Sequence, residues 1–72
     1  MHNFMTTISQ KLGDNIRKIR EEKGMSQADI CRITEMDRGY ISRVENGSKN
    51  PTISNLEKIA KALGVKPDEL LK

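Results

Sequence analysis

The chain has 72 residues, of which 35% are hydrophobic and 32% charged, a balance that suits a small globular domain and argues against a disordered chain. A chain this short buries only about 60% of the surface its unfolded form exposes, which leaves no room for an elaborate catalytic cleft. Thirteen Lys and Arg against ten Asp and Glu give a net charge of +3, a mild excess compatible with a polyanionic partner.

Residues 1–7 lack periodicity and are expected to form a flexible N-terminal arm, leaving residues 8–72 as the folded domain. Ile8, Leu12, Ile16 and Ile19 then recur at spacings of four, four and three, the signature of one helical face. Gly24 is placed to end this first helix.

Ser26 suits the N-cap of a second helix running from about Gln27 to Thr34, and Asp29 favours its positive end. Ala28, Ile30, Cys31 and Ile33 would supply its inner side. After a turn at Glu35 and Met36, Asp37 is placed to cap a third helix that ends before Gly47, a residue suited to a left-handed C-terminal cap.

At 100° per residue, Ile41 and Val44 of the third helix point one way. Arg38, Gly39, Ser42, Arg43 and Asn46 occupy the opposite arc, with Tyr40 and Glu45 at its borders. The stretch NGSKNP breaks the pattern, and Thr52 can cap a fourth helix. Leu56, Ile59, Ala60 and Leu63 form its stripe before Gly64 stops it. Pro67 then opens a short fifth helix through Leu71. The expectation is an all-α, compact five-helix domain in which no helix is stable alone.

Two short helices joined by a tight turn, the second showing arginines to solvent, read as a helix-turn-helix, whose second helix fits the major groove of double-stranded DNA. Arg38 and Arg43 are the foremost candidates for base contacts, because a guanidinium can donate two hydrogen bonds to guanine O6 and N7. Gly39, Tyr40 and Ser42 complete the candidate reading surface. Tyr40 either meets a base or phosphate or covers the core edge. Gly39 either lets the backbone approach the bases or merely shrinks the contact.

Ser26 and Gln27 at the start of the second helix, with Asn46, Ser48, Lys49 and Asn50 after the third, are candidates for phosphate contacts, which set register without reading sequence. A single recognition helix reads few base pairs, so a homodimer on a palindromic operator is expected. Val65, Leu70 and Leu71 are its candidate interface, the alternative being that they close the monomer core.

No apolar run is long enough to cross a bilayer, and MHNFMTTISQ does not resemble a secretion signal, so a cytoplasmic protein is expected. Cys31 is the only cysteine and His2 the only histidine, which leaves no familiar metal set. No cofactor is expected, and no nucleophile and base constellation points to an enzyme.

The pattern Gln27, Ile30, Cys31, Met36, Ile41, Ser42, Val44, Glu45, Gly47, Pro51, Leu56, Ile59, Ala60, Leu63 and Gly64 resembles the Xre-like family of lambda repressor and Cro-type proteins. DRGYISRVENGSKNP looks especially like the controller proteins of restriction-modification systems. The resemblance implies a lambda repressor-like fold and a sequence-specific transcriptional regulator. Such a regulator represses by covering a promoter or activates by touching RNA polymerase.

The resemblance also implies a phosphate contact at Gln27 and an ion pair between Arg20 and Glu45 that links the first helix to the third. Cys31 stands where the family usually has Ala, and Glu35 where it usually has Gly in the turn. Glu35 would cost roughly 1 kcal/mol if its backbone is left-handed. A second reading is an antitoxin-like subunit that neutralises a partner toxin and represses its operon.

Overall fold

The computed structural model describes the backbone of residues 4–72 and the side chains from residue 8 onward. Four α-helices follow in order, α1 (Phe4–Glu22), α2 (Gln27–Thr34), α3 (Arg38–Glu45) and α4 (Ile53–Leu63), and a 3₁₀ turn, Pro67–Leu71, closes the chain. The described residues contain no strand.

Two expectations are corrected here. The final segment is a 3₁₀ turn rather than a fifth α-helix: five residues opened by a proline are too short to pay for α-helical nucleation, so the tighter winding prevails. The helix expected to start near Ile8 starts at Phe4, so residues 4–7 extend α1 rather than belonging to an arm. The first three residues of that arm lie outside the described residues.

Local chemistry sets the helix boundaries. Ser26 Oγ accepts from the Asp29 amide at 3.0 Å while Asp29 Oδ2 accepts from the Ser26 amide at 2.8 Å, a reciprocal capping box. That hydrogen bond from Ser26, with the Arg32 guanidinium beside it, holds the Asp29 carboxyl below the usual carboxylate range. The stabilisation it brings is therefore present above the ordinary carboxylate pKa and is lost as pH falls through the lowered value. Asp37 caps α3 through the Tyr40 amide, and Thr52 caps α4 through the Asn55 amide.

At the end of α3 the Gly47 amide donates to the Val44 carbonyl and the Ser48 amide to the Arg43 carbonyl, the paired closure of a Schellman motif. It requires the φ of +81° that Gly47 adopts. Glu35 ends α2 in the same left-handed region, at φ 63°, with its amide 2.7 Å from the Cys31 carbonyl.

The core comprises Leu12, Ile16, Ile30, Ile41, Val44, Leu56, Ile59, Ala60, Leu63 and Leu70. The ends of the expected stripes fall outside it. Ile8 and Ile33 are more than half exposed. Leu70 is fully buried, and Asn15 Nδ2 of α1 donates to its carbonyl at 2.9 Å. The last turn is thereby locked onto the first helix.

Gly13 decides how closely α1 approaches α3. A Cβ at this position would lie 2.5 Å from the carbonyl oxygens of both Val44 and Glu45, which are backbone atoms unable to swing aside. Gly13→Ala gains helix propensity but forces the two helices apart. We expect a net loss of about 2 kcal/mol, read as a Tm on the order of 10 °C lower in a thermal melt followed by circular dichroism.

Candidate nucleic-acid interface

The centre of the helix-turn-helix is a buried charge cluster. Arg20 of α1 donates from Nε to Glu45 Oε2 at 2.8 Å and from Nη2 to Glu45 Oε1 at 3.0 Å, a forked pairing with the last residue of α3. Arg20 Nη1 donates to the Met25 carbonyl at 2.8 Å. Gln27 Nε2 of α2 donates to Glu45 Oε1 at 3.0 Å. One carboxylate thus gathers α1, α2 and α3. The pairing with Glu45 outweighs burial and raises the Arg20 pKa further above its already high value, so the guanidinium stays charged wherever the fold exists.

Ile41, Val44 and Glu45 are the buried residues of α3. Their burial turns the opposite face outward, where Arg38, Arg43 and Asn46 are exposed and Gly39, Tyr40 and Ser42 half-buried. These six residues share one continuous face of a helix whose two ends are capped. Lys49, Ser48 and Asn50, all exposed, extend that face beyond its C-terminus.

Several candidate side chains have protein partners. Tyr40 packs against the core and its hydroxyl accepts from Asn55 Nδ2 of α4 at 3.0 Å, while Lys49 Nζ lies 5.9 Å from its ring centroid. Tyr40 therefore ties α3 to α4 with one edge of its ring. Gln27 spends its side-chain amide on Glu45, Ser26 spends its hydroxyl on the cap of α2, and Ser48 Oγ donates to the Arg43 carbonyl at 3.3 Å. Asn50 Oδ1 accepts from the buried Ser9 hydroxyl of α1. Among the described residues Arg38, Arg43 and Lys49 form no salt bridge, and all three are exposed on one face.

The proposed dimer residues separate. Leu70 is removed from the interface set because its side chain is spent on the monomer core; Val65 packs partly against that core; Leu71 is 51% exposed. Sequence reasoning missed the parts played by Gly13, Asn15 and Gln27 in holding the helices. A glycine beside Leu12 in the apolar stripe was the one available signal for a close approach. Nothing in the sequence marks the carbonyl that Asn15 meets 55 residues away.

The family model described as helix-turn-helix matches residues 16–70, three quarters of the chain. The chain belongs to the helix-turn-helix family. This helix-turn-helix protein is 45% identical over 60 residues to the control protein C.BamHI of Bacillus amyloliquefaciens, covering 82% of this chain and 74% of that one.

Among solved structures, the restriction-modification controller protein C.AhdI from Aeromonas hydrophila is similar with a TM-score of 0.82 at 38% identity, over 85% of this chain and 92% of that chain. The controller protein C.Esp1396I, solved as a tetramer in complex with its natural 35 base-pair operator, is similar with a TM-score of 0.77 at 39% identity, over 99% of this chain and 100% of that chain. The helix-turn-helix protein is thus a homologue of restriction-modification controllers. Among the described residues no helix is long and apolar enough to cross a membrane, and no group of three or more side chains could hold a metal ion.

The charge cluster makes a direct demand on stability. Glu45→Ala removes the only charged partner of the Arg20 guanidinium among the described residues and leaves it with the Met25 carbonyl, on a side chain that is only 10% exposed. The expected loss is about 3 kcal/mol, read as a sharply lower urea midpoint with an unchanged m-value.

Proposed function

We propose that this protein is a cytoplasmic, sequence-specific transcriptional regulator that binds double-stranded DNA as a homodimer through the major groove and controls a restriction-modification operon, its own gene included. The observation that carries the reading is the face of α3: Arg38 and Arg43 stand exposed on a helix whose orientation is fixed by the Glu45 cluster. Rigid presentation matters because a base-edge contact is lost when donors are misplaced by a fraction of an ångström.

Arg38 and Arg43 read guanine edges, with Ser42 beside them. Lys49 meets a phosphate, and Asn46, Ser48 and Asn50 lie within reach of the same strand. Tyr40, anchored to Asn55, offers one ring edge to a thymine methyl. Gln27 and Ser26 meet phosphates through the first turn of α2. Homology to control proteins supports this regulator reading over an antitoxin-like subunit. An RNA polymerase contact belongs to the same reading, for a regulator that activates as well as represses.

Two copies on a palindrome place their reading helices roughly 34 Å apart, one turn of duplex. Leu71, with Val65, is the apolar surface we assign to the pairing, since Leu70 is spent inside the monomer.

Each arginine that makes a forked contact to guanine contributes about 1–3 kcal/mol of discrimination. After selection of an operator from a random DNA pool, Arg38→Ala and Arg43→Ala should each lower affinity for it by roughly 5- to 150-fold relative to a scrambled duplex. Retention of full affinity and preference by the double variant ends the proposal. In sedimentation velocity at low micromolar concentration, Leu71→Asp should run as a folded monomer beside a dimeric parent. A folded variant that stays fully dimeric removes Leu71 from the interface.

A further inference from the structure

On the reading face, Gly39 and Arg43 are one helical turn apart. Side chains on a helix lean toward its N-terminus and lie over the residue four positions earlier, so the Arg43 side chain runs back across the site where Gly39 has no substituent. A Cβ built at Gly39 would lie 3.3 Å from Arg43 Nη1 and 4.0 Å from Arg43 Cζ. The same Cβ would lie 2.9 Å from Asp37 Oδ2, the oxygen that caps α3 through the Tyr40 amide. The space left by the missing side chain is therefore bounded on one side by the guanidinium and on the other by the capping carboxylate.

From this geometry we infer that Gly39 is a positioning residue for base recognition: its missing side chain is the seat of the Arg43 guanidinium, and it makes no base contact of its own. The inference rests on the reading of Arg43 as a base-contacting residue. The side chain thereby runs toward the N-terminal end of α3, the end that a recognition helix directs at base edges. With the guanidinium lying against the helix, its fork is held at one depth and one azimuth. A methyl group at position 39 lifts it away from the axis and turns it.

Two other roles for this glycine fit less well. A turn or bend would require a left-handed backbone, which Gly24, Gly47 and Gly64 show and Gly39 does not. A close helix contact would place backbone atoms around the missing side chain, as they surround that of Gly13; around Gly39 only the ends of two side chains approach. Flexible ends can move, so alanine is accommodated there without loss of the fold: the Asp37 carboxylate, the nearer at 2.9 Å, shifts at some cost to the cap, and the Arg43 guanidinium at 3.3 Å shifts with it.

The test is a double-mutant cycle on discrimination. The parent, Gly39→Ala, Arg43→Ala and the double variant are each titrated at fixed salt against the operator selected by the parent and against duplexes changed one base pair at a time. Circular dichroism and thermal melts verify that all four chains are folded. Gly39→Ala in the parent background should change the preference at one base-pair position by fivefold or more, the same position at which Arg43→Ala abolishes preference. In the Arg43→Ala background the same substitution should change it by less than twofold.

An equal effect of Gly39→Ala in both backgrounds means that residue 39 acts on DNA independently of Arg43 and overturns the inference. So does an unchanged profile in the parent background. If Arg43→Ala leaves every base preference intact while Arg38→Ala does not, the reading of bases by Arg43 falls and this inference with it, whereas the regulator reading stands. Loss of all operator preference by the parent itself would instead defeat the proposed function.

Discussion

The structure turns on a single carboxylate. Glu45 closes α3 from inside the protein, and three donors converge on it: two nitrogens of Arg20 from α1 and the side-chain amide of Gln27 from α2. A buried ion pair is not in itself a strong source of stability, because desolvating both charges offsets much of their attraction. What it supplies is geometry. An apolar contact tolerates sliding and rotation, whereas a forked guanidinium and carboxylate meet in one plane and one register. The pairing fixes the register of α3 against α1 and α2, and adds to the burial of Ile41 and Val44 that turns its outer face to solvent.

The pairing can form only because the helices come close. Gly13 lets the backbone of α1 touch the carbonyls at the end of α3, next to Glu45 itself. The Schellman closure at Gly47 then ends the helix, with Arg43 exposed in its last turn. The loop that follows is fastened back to α1 by the hydrogen bond between Ser9 and Asn50, and Tyr40 fastens α3 to α4 through Asn55. Each restraint acts on α3 from a different side. Exposed arginines, whose rotamer entropy is costly to freeze, are thereby presented from a backbone that has little freedom left. In such a frame even the absence of a side chain, at Gly39, has a directional consequence.

The three inner helices, α2, α3 and α4, were legible in the residues for local reasons. Ser26, Asp37 and Thr52 are short polar side chains that satisfy amides of their own first turn, and Gly47 and Gly64 supply left-handed stops. These interactions span three to five residues, so sequence spacing reveals them. The outward arc of α3 was legible for the same reason: with Ile41 and Val44 inside, the positions of Arg38 and Arg43 follow from the helical period alone. The pairing of Arg20 with Glu45 was available only through likeness to a family.

The composition and order of residues by themselves determined four α-helices, their caps, the charge of the reading face and the family to which the chain belongs. All of these depend on neighbours along the chain. Only the tertiary structure decided that Leu70 serves the core rather than a partner, that Ile8 and Ile33 lie outside it, that the last turn is 3₁₀, and that Gln27, Tyr40 and Asn50 are bound to protein groups. Burial and hydrogen-bond partnership across tens of residues depend on where helices end against one another in space, and no periodicity along a single helix carries that information.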